Sequence, residues 1–206
     1  MSIDWSTGAI VQALKDFGIY DDTLIIFTSD NGSRNDFGES NGILRGGKRE
    51  TYEGGQRVPF IVHWHNHVKP GESNELITGM DLLPSLAAIA GTSPSGKNKI
   101  DGIDLSDLML GRTDKSSRNV FLYYLCNTLE ACRVGKWKLH VAKPRVSRGM
   151  EEKEKDASVI PAPVIDDDSP VYELYDLDDD PSESNNVYEQ HPDIVEIIMK
   201  EIEKGR

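Results

Sequence analysis

The chain has 206 residues, with 35 acidic against 23 basic side chains (a net charge of −12) and 37% hydrophobic residues. That suffices for one domain, or one and a half, whose core needs no disulfide support. It excludes a membrane-spanning chain, since no apolar run nears the roughly 20 residues that cross a bilayer. The opening MSIDWSTG has neither the basic nor the apolar region of a signal peptide. The acidic excess lies in residues 151–206, the preceding residues being close to neutral, and no basic stripe marks a nucleic-acid binder.

Ile10, Val11, Leu14 and Phe17 recur at helical spacing, which predicts a helix over 6–17 with Ser6 or Thr7 as N-cap and Gly18 as stop. Thr23 to Thr28 is a continuous apolar run, predicting a strand covered on both faces, as in a parallel sheet. It ends abruptly at Ser29-Asp30-Asn31-Gly32. Residues 38–57 are glycine-rich and read as loop, and Val58 to Trp64 as a second buried strand. Asp81 is placed to cap a helix whose face carries Leu82, Leu83, Leu86 and Ile89, closed by Gly91.

After about residue 112 the pattern changes. Strands are predicted at 120–125, 136–141 and 171–175, with 127–135 turning between the first two. Residues 143–170 read as a charged, solvated insertion, and His191 to Lys204 as a helix presenting Ile194, Val195, Ile198 and Ile202. The order of elements predicts α/β followed by α+β, with no internal repeat.

Asp30 and Asn31, placed where a strand ends, offer hard oxygen ligands suited to Ca²⁺ or Mg²⁺; taken by themselves, such residues more often build an ordinary turn. Residues 41–60 interleave Gly42, Gly46, Gly47, Gly54 and Gly55 with Arg45, Lys48, Arg49 and Arg57, which suits an anion or a plain surface loop. A P-loop is excluded by the spacing of Gly42 and Lys48 and by Arg49 in place of a hydroxyl residue. His63, His65 and His67 alternate as metal ligands on one strand face would, without a further ligand set. Asp176, Asp178 and Asp180 begin like an EF-hand, but Pro181 and Val187 occupy its glycine and glutamate positions. Cys126 and Cys132 read as free or buried thiols, with pairing across a hairpin as the alternative. Tyr123 and Trp137 read as core.

The succession of apolar strand, D-N-G, L-R-G-G-K, T-Y-E-G-G-Q-R-V-P and a second apolar strand resembles the formylglycine-dependent, arylsulfatase-like sulfatases. MDLLPSLAAIA (80–90), DGIDLSDLML (101–110), RVGKWKL (133–139) and LYDLDDDPSESNN (174–186) extend the likeness over nearly all of the chain outside 143–170. The resemblance implies the C-terminal part of an alkaline-phosphatase-like, mixed-sheet catalytic domain over 1–115. Residues 116–206 would then form a small α+β subdomain, an antiparallel sheet with a closing helix. It assigns Asp30 and Asn31 as calcium ligands and Lys48 as the catalytic lysine that contacts sulfate. Arg45 and Arg49 are expected to face solvent or make structural pairs.

Neither Cys126 nor Cys132 lies in the family's C-x-P-S-R nucleophile motif. The resemblance therefore places formylglycine, and the other half of the calcium site, in a preceding segment that 29 residues before Asp30 cannot hold. The chain is expected to be an incomplete sulfuric ester hydrolase, inactive without that missing N-terminal half. Its partner would be a sulfated small molecule or carbohydrate, and its location exported by family default. The alternatives are a non-catalytic module binding sulfated or phosphorylated sugars and a related phosphoester hydrolase.

Overall fold

A computed structural model describes residues 2–34, 40–94, 96, 99–142 and 172–205. The charged insertion expected at 143–170 lies outside the described residues. Two compact units are present, one formed by Met1–Thr28 with Pro59–Arg118 and the other by Ser29–Val58 with Asn119–Arg206. Residues 29–58, the glycine-rich segment, thus fold with the C-terminal part of the chain.

In the first unit, α1 spans Ser2–Asp16, four residues earlier than the apolar spacing predicts. None of its residues is buried, and Trp5 and Phe17 are 74% and 79% exposed. Strands β1 (Ile25–Thr28) and β2 (Phe60–His63) pair antiparallel, Ile25 opposite His63 and Thr28 opposite Phe60, where a parallel sheet is expected. Both strands are only partly covered, with Ile61 57% exposed. An apolar run alone does not distinguish parallel from antiparallel pairing.

The short helix α2 lies in the second unit at Glu53–Gln56, inside the segment expected to be loop. Back in the first unit, a 3-10 turn over Gly79–Asp81 leads into α3 (Leu82–Ile89), and α4 follows at Ser106–Met109. The side of α3 that is buried carries Pro84 and Ser85, not the predicted leucine stripe, for Leu83 and Leu86 are exposed. Asp81 does not cap α3 with its side chain. Its carboxylate accepts from Thr78 N (2.9 Å), Thr78 Oγ1 (2.8 Å) and Ile103 N (2.9 Å), and pairs with Arg118 Nε at 2.8 Å.

Burial would raise the Asp81 carboxyl, but Arg118 and the Ile103 and Thr78 donors outweigh it and hold it below its ordinary value. Arg118→Met leaves this carboxylate buried without its counter-charge, and should destabilise the unit by about 3–5 kcal/mol. Urea unfolding measures it; a loss within the few tenths typical of surface substitutions would show the pair to be dispensable.

The second unit is built on a four-stranded antiparallel sheet in the order β3 (Val120–Leu125), β4 (Thr128–Val134), β5 (Trp137–His140) and β6 (Glu173–Asp176). Strand β4 occupies the stretch expected to be a turn. Its register against β3 places Leu129 opposite Tyr124 and Ala131 opposite Tyr123, so Glu130 is the extra residue of a bulge. Leu122, Cys132, Leu139 and Leu174 align across the four strands, and this row meets Ile198 and Ile202 of α5 (Pro192–Lys204) in the core. Pro192 at the first helical turn and Lys204 at the last suit the ends of α5. Strand alternation puts Tyr123, Lys138, His140, Glu173 and Tyr175 on the other face. Residues 45–56 cover that face.

Candidate functional site

The residues that follow Asp30 and Asn31 are tied to the Lys48 loop by backbone contacts. Gly32 N donates to Gly55 O and Lys48 N to Ser33 O, each at 3.0 Å. Asn41 clamps the crossing: its Oδ1 accepts from Ser33 N and Ser33 Oγ at 2.8 Å, and its Nδ2 donates to Gly46 O at 2.9 Å. The glycines are required by close approach. A Cβ at Gly32 would fall on the carbonyl of Gly54, and one at Gly54 on the carbonyls of Gly46 and Arg45. Asp30 is exposed and Lys48 half-buried.

The loop closes on itself through Gly54 N to Arg45 O (2.7 Å) and Gly47 N to Glu50 Oε2 (2.7 Å). Arg45 makes the structural pairing expected as one option. Its guanidinium lies over the Tyr52 ring at 3.9 Å and donates from Nη1 to Tyr175 Oη and Glu183 O, both at 3.0 Å. Arg49 is exposed with φ at 76°.

Beneath the loop lies a buried charged cluster that the sequence reading did not single out. Lys138 Nζ is 3.0 Å from both Glu53 Oε1 and Glu183 Oε1. Glu183 Oε1 also accepts from His140 Nε2 at 2.9 Å, and Glu183 Oε2 accepts from Glu53 N at 2.6 Å. Tyr123 places its ring 4.6 Å from Lys138 Nζ. Nearby, Thr51 Oγ1 donates to Glu130 Oε2 at 2.8 Å.

Burial lowers the affinity of His140 for a proton, more than the Glu183 hydrogen bond restores it. The balance favours the uncharged ring; its Nε2 faces Glu183, while its buried Nδ1 meets no hydrogen-bond partner among the described residues. For Glu183 burial acts upward, but the His140 bond, the Lys138 charge and the Glu53 N–H hold the carboxyl below its ordinary range.

Both shifts favour the native state at neutral pH. The share from His140 is complete above its ordinary value of 6.5 and is lost as pH falls from there through the lower folded value. Glu183, Lys138, Glu173, Tyr52 and Tyr175 surround this ring. Melts of wild type and His140→Gln between pH 8 and 5 should show the difference in Tm moving against wild type below about 6.5. A constant difference would mean that His140 takes up its proton equally in the folded and unfolded chains.

The three histidines do not converge on one ligand position. His63 Nε2 is 2.6 Å from Tyr20 Oη, His65 is 3.8 Å from Asp21, and His67 stacks on Trp64. Asp180 holds its own turn through Ser182, Ser184 and Asn185. Cys126 is exposed and Cys132 buried, both as free thiols. Tyr123 is buried and Trp137 packs against the core cluster, as read from the sequence.

Among the described residues no group of three or more His, Cys, Asp or Glu side chains is placed to hold a metal. The donor chemistry of Asp30 and Asn31 still fits part of a calcium site. Asn31 Nδ2 is engaged with Gly32 O at 2.8 Å, which leaves its Oδ1 to act as a ligand beside the exposed carboxylate of Asp30.

The sulfatase family model matches residues 1–92, and the model for the C-terminal region of aryl-sulfatase matches 116–206. Human arylsulfatase A is 39% identical over 198 residues, covering 91% of this chain and 38% of that protein. An N-acetylgalactosamine-6-O-sulfatase of Bacteroides thetaiotaomicron is 34% identical over 215 residues, covering 98% of this chain and 40% of its own length. The crystal structure of PsFucS1 sulfatase from Pseudoalteromonas sp. superposes with a TM-score of 0.80 at 27% identity, over 99% of this chain and 40% of that one. The chain belongs to the sulfatase family. Its fold is that of the alkaline-phosphatase-like sulfatases, of which it spans about two fifths of the length of these relatives.

No helix among the described residues is long and apolar enough to cross a membrane.

Proposed function

We propose that the chain is part of a sulfuric ester hydrolase, to which it contributes one sulfate-contacting cation, Lys48, and two calcium ligands, Asp30 and Asn31. The observation that supports this reading is the bond from Lys48 N to Ser33 O, which ties the lysine's backbone to the chain two residues beyond Asn31. In hydrolysis of a sulfate ester, negative charge grows on the bridging oxygen as the alcohol departs. An ammonium at this place offsets charge on the sulfate oxygens, and the glycine cradle lets the backbone approach them closely. Calcium, when bound, adds positive charge against the same anion. The formylglycine nucleophile of the family has no counterpart at Cys126 or Cys132.

Residues 1–115 belong in this reading to the catalytic domain and 116–206 to its C-terminal subdomain, with 143–170 as an insertion. The substrate class is a sulfated small molecule or carbohydrate, in keeping with the names of the aryl- and amino-sugar sulfatases among the relatives.

The test is turnover of 4-nitrophenyl sulfate and 4-nitrophenyl phosphate by the full-length gene product, with and without a calcium chelator. Sulfate-ester hydrolysis that falls on chelation is expected. Preference for the phosphate ester would move the protein to the phosphoester hydrolases. Binding of sulfated sugars without turnover would make it a recognition module.

A further inference from the structure

Glu183 is fully buried and has a backbone φ of 51°, a left-handed conformation that non-glycine residues avoid unless the surroundings impose it. That conformation lets one residue hold two points of the loop. Its carbonyl takes Arg45 Nη1 at 3.0 Å, and its Oε2 takes Glu53 N at 2.6 Å. Its Oε1 is anchored on the sheet by Lys138 and His140, at 3.0 and 2.9 Å. The two points held, residues 45 and 53, are the two ends of the stretch that contains Lys48, and Gly54 N to Arg45 O closes the ring between them.

Lys48 itself has no side-chain hydrogen bond or ion pair to another described residue, so its direction is inherited from the backbone. That backbone turns through left-handed φ values at Gly46 (77°), which glycine adopts freely, and at Arg49 (76°), which a non-glycine residue holds only where its surroundings impose it.

We propose that Glu183 is a positioning residue for Lys48, gripping both ends of the 45–53 loop so that the ammonium is already aimed before substrate arrives. This rests on Lys48 as the sulfate contact. Misplacing a catalytic group by about 1 Å costs roughly 10²-fold in rate, so the grip has a kinetic signature apart from stability.

The experiment uses the full-length gene product, 4-nitrophenyl sulfate, and three variants: Glu183→Gln, Lys48→Ala and the double variant. Glu183→Gln keeps the volume but puts an amide donor where the Glu53 N–H, Lys138 or His140 now donates. Its kcat should fall roughly 10²-fold with KM changed less than about threefold, and amide exchange in residues 45–56 should quicken while β4 and β5 stay protected. If Glu183 works through Lys48, the double variant is no slower than Lys48→Ala alone. Multiplicative effects in the double variant would overturn the proposal, as would unchanged exchange in 45–56.

Should Glu183→Gln fail to fold, Arg45→Gln cuts the other grip from a side chain that is 42% exposed, and the same coupling to Lys48→Ala is expected. A normal kcat in Lys48→Ala would instead refute the sulfate contact, and loop exchange would still report whether Glu183 holds the loop.

Discussion

Replacing Lys48 by alanine in the full-length gene product should lower kcat for an aryl sulfate by roughly 10²–10³, the usual consequence of removing one preorganised electrostatic group. The residue is half-buried, and its backbone N–H is fastened at 3.0 Å to Ser33 O. Lys48→Arg should not restore the rate, because a planar fork does not fill the place of a compact ammonium. Arg49→Ala is the control: its side chain is exposed, and little change is expected. Steady-state kinetics on folded enzyme decides the matter. A near-normal kcat in Lys48→Ala would make the 41–57 segment an ordinary glycine-rich connection.

Lys138→Met should be the most damaging single change to the stability of the second unit. The lysine is wholly buried between Glu53 and Glu183, and its loss leaves two buried acidic side chains without the ammonium that lies between them. Breaking such a cluster from one side costs about 3–5 kcal/mol. Replacing Lys138, Glu53 and Glu183 together by apolar residues of like volume should recover much of that, since the uncompensated charge goes with them. Chemical denaturation of the single and triple variants tests both statements. Equal losses in the two would mean that packing, not charge, governs the cluster.

The sequence carries most of the elements where apolar periodicity is clean. The stripe of Ile194, Val195, Ile198 and Ile202 marks α5, and the aromatic and aliphatic run of 120–125 marks β3. Strand β4 is hidden because Glu130 and Arg133 interrupt its apolar residues and a bulge at Glu130 breaks the two-residue period. The antiparallel pairing of β1 with β2 is set by tertiary context, which a four-residue apolar run does not encode.

For the site, ordered motifs point to Asp30, Asn31 and Lys48, whereas Glu53, Lys138, His140 and Glu183 lie scattered over 131 positions of the chain. One local signal existed. Lys138 and His140 alternate with Leu139 in a strand whose apolar side faces the core, so their own side had to be either solvated or covered by polar partners. The glycines at 54 and 55 gave the complementary hint, since they permit the backbone approach that covers that side.

The most direct test of the central claim is a crystal structure of the full-length gene product with calcium and inorganic sulfate. One sulfate is expected within hydrogen-bond distance of Lys48 Nζ, with a calcium ion taking the side-chain oxygens of Asp30 and Asn31 beside the same anion. Lys48 in open solvent with sulfate bound elsewhere, or calcium held without Asp30 and Asn31, would contradict it.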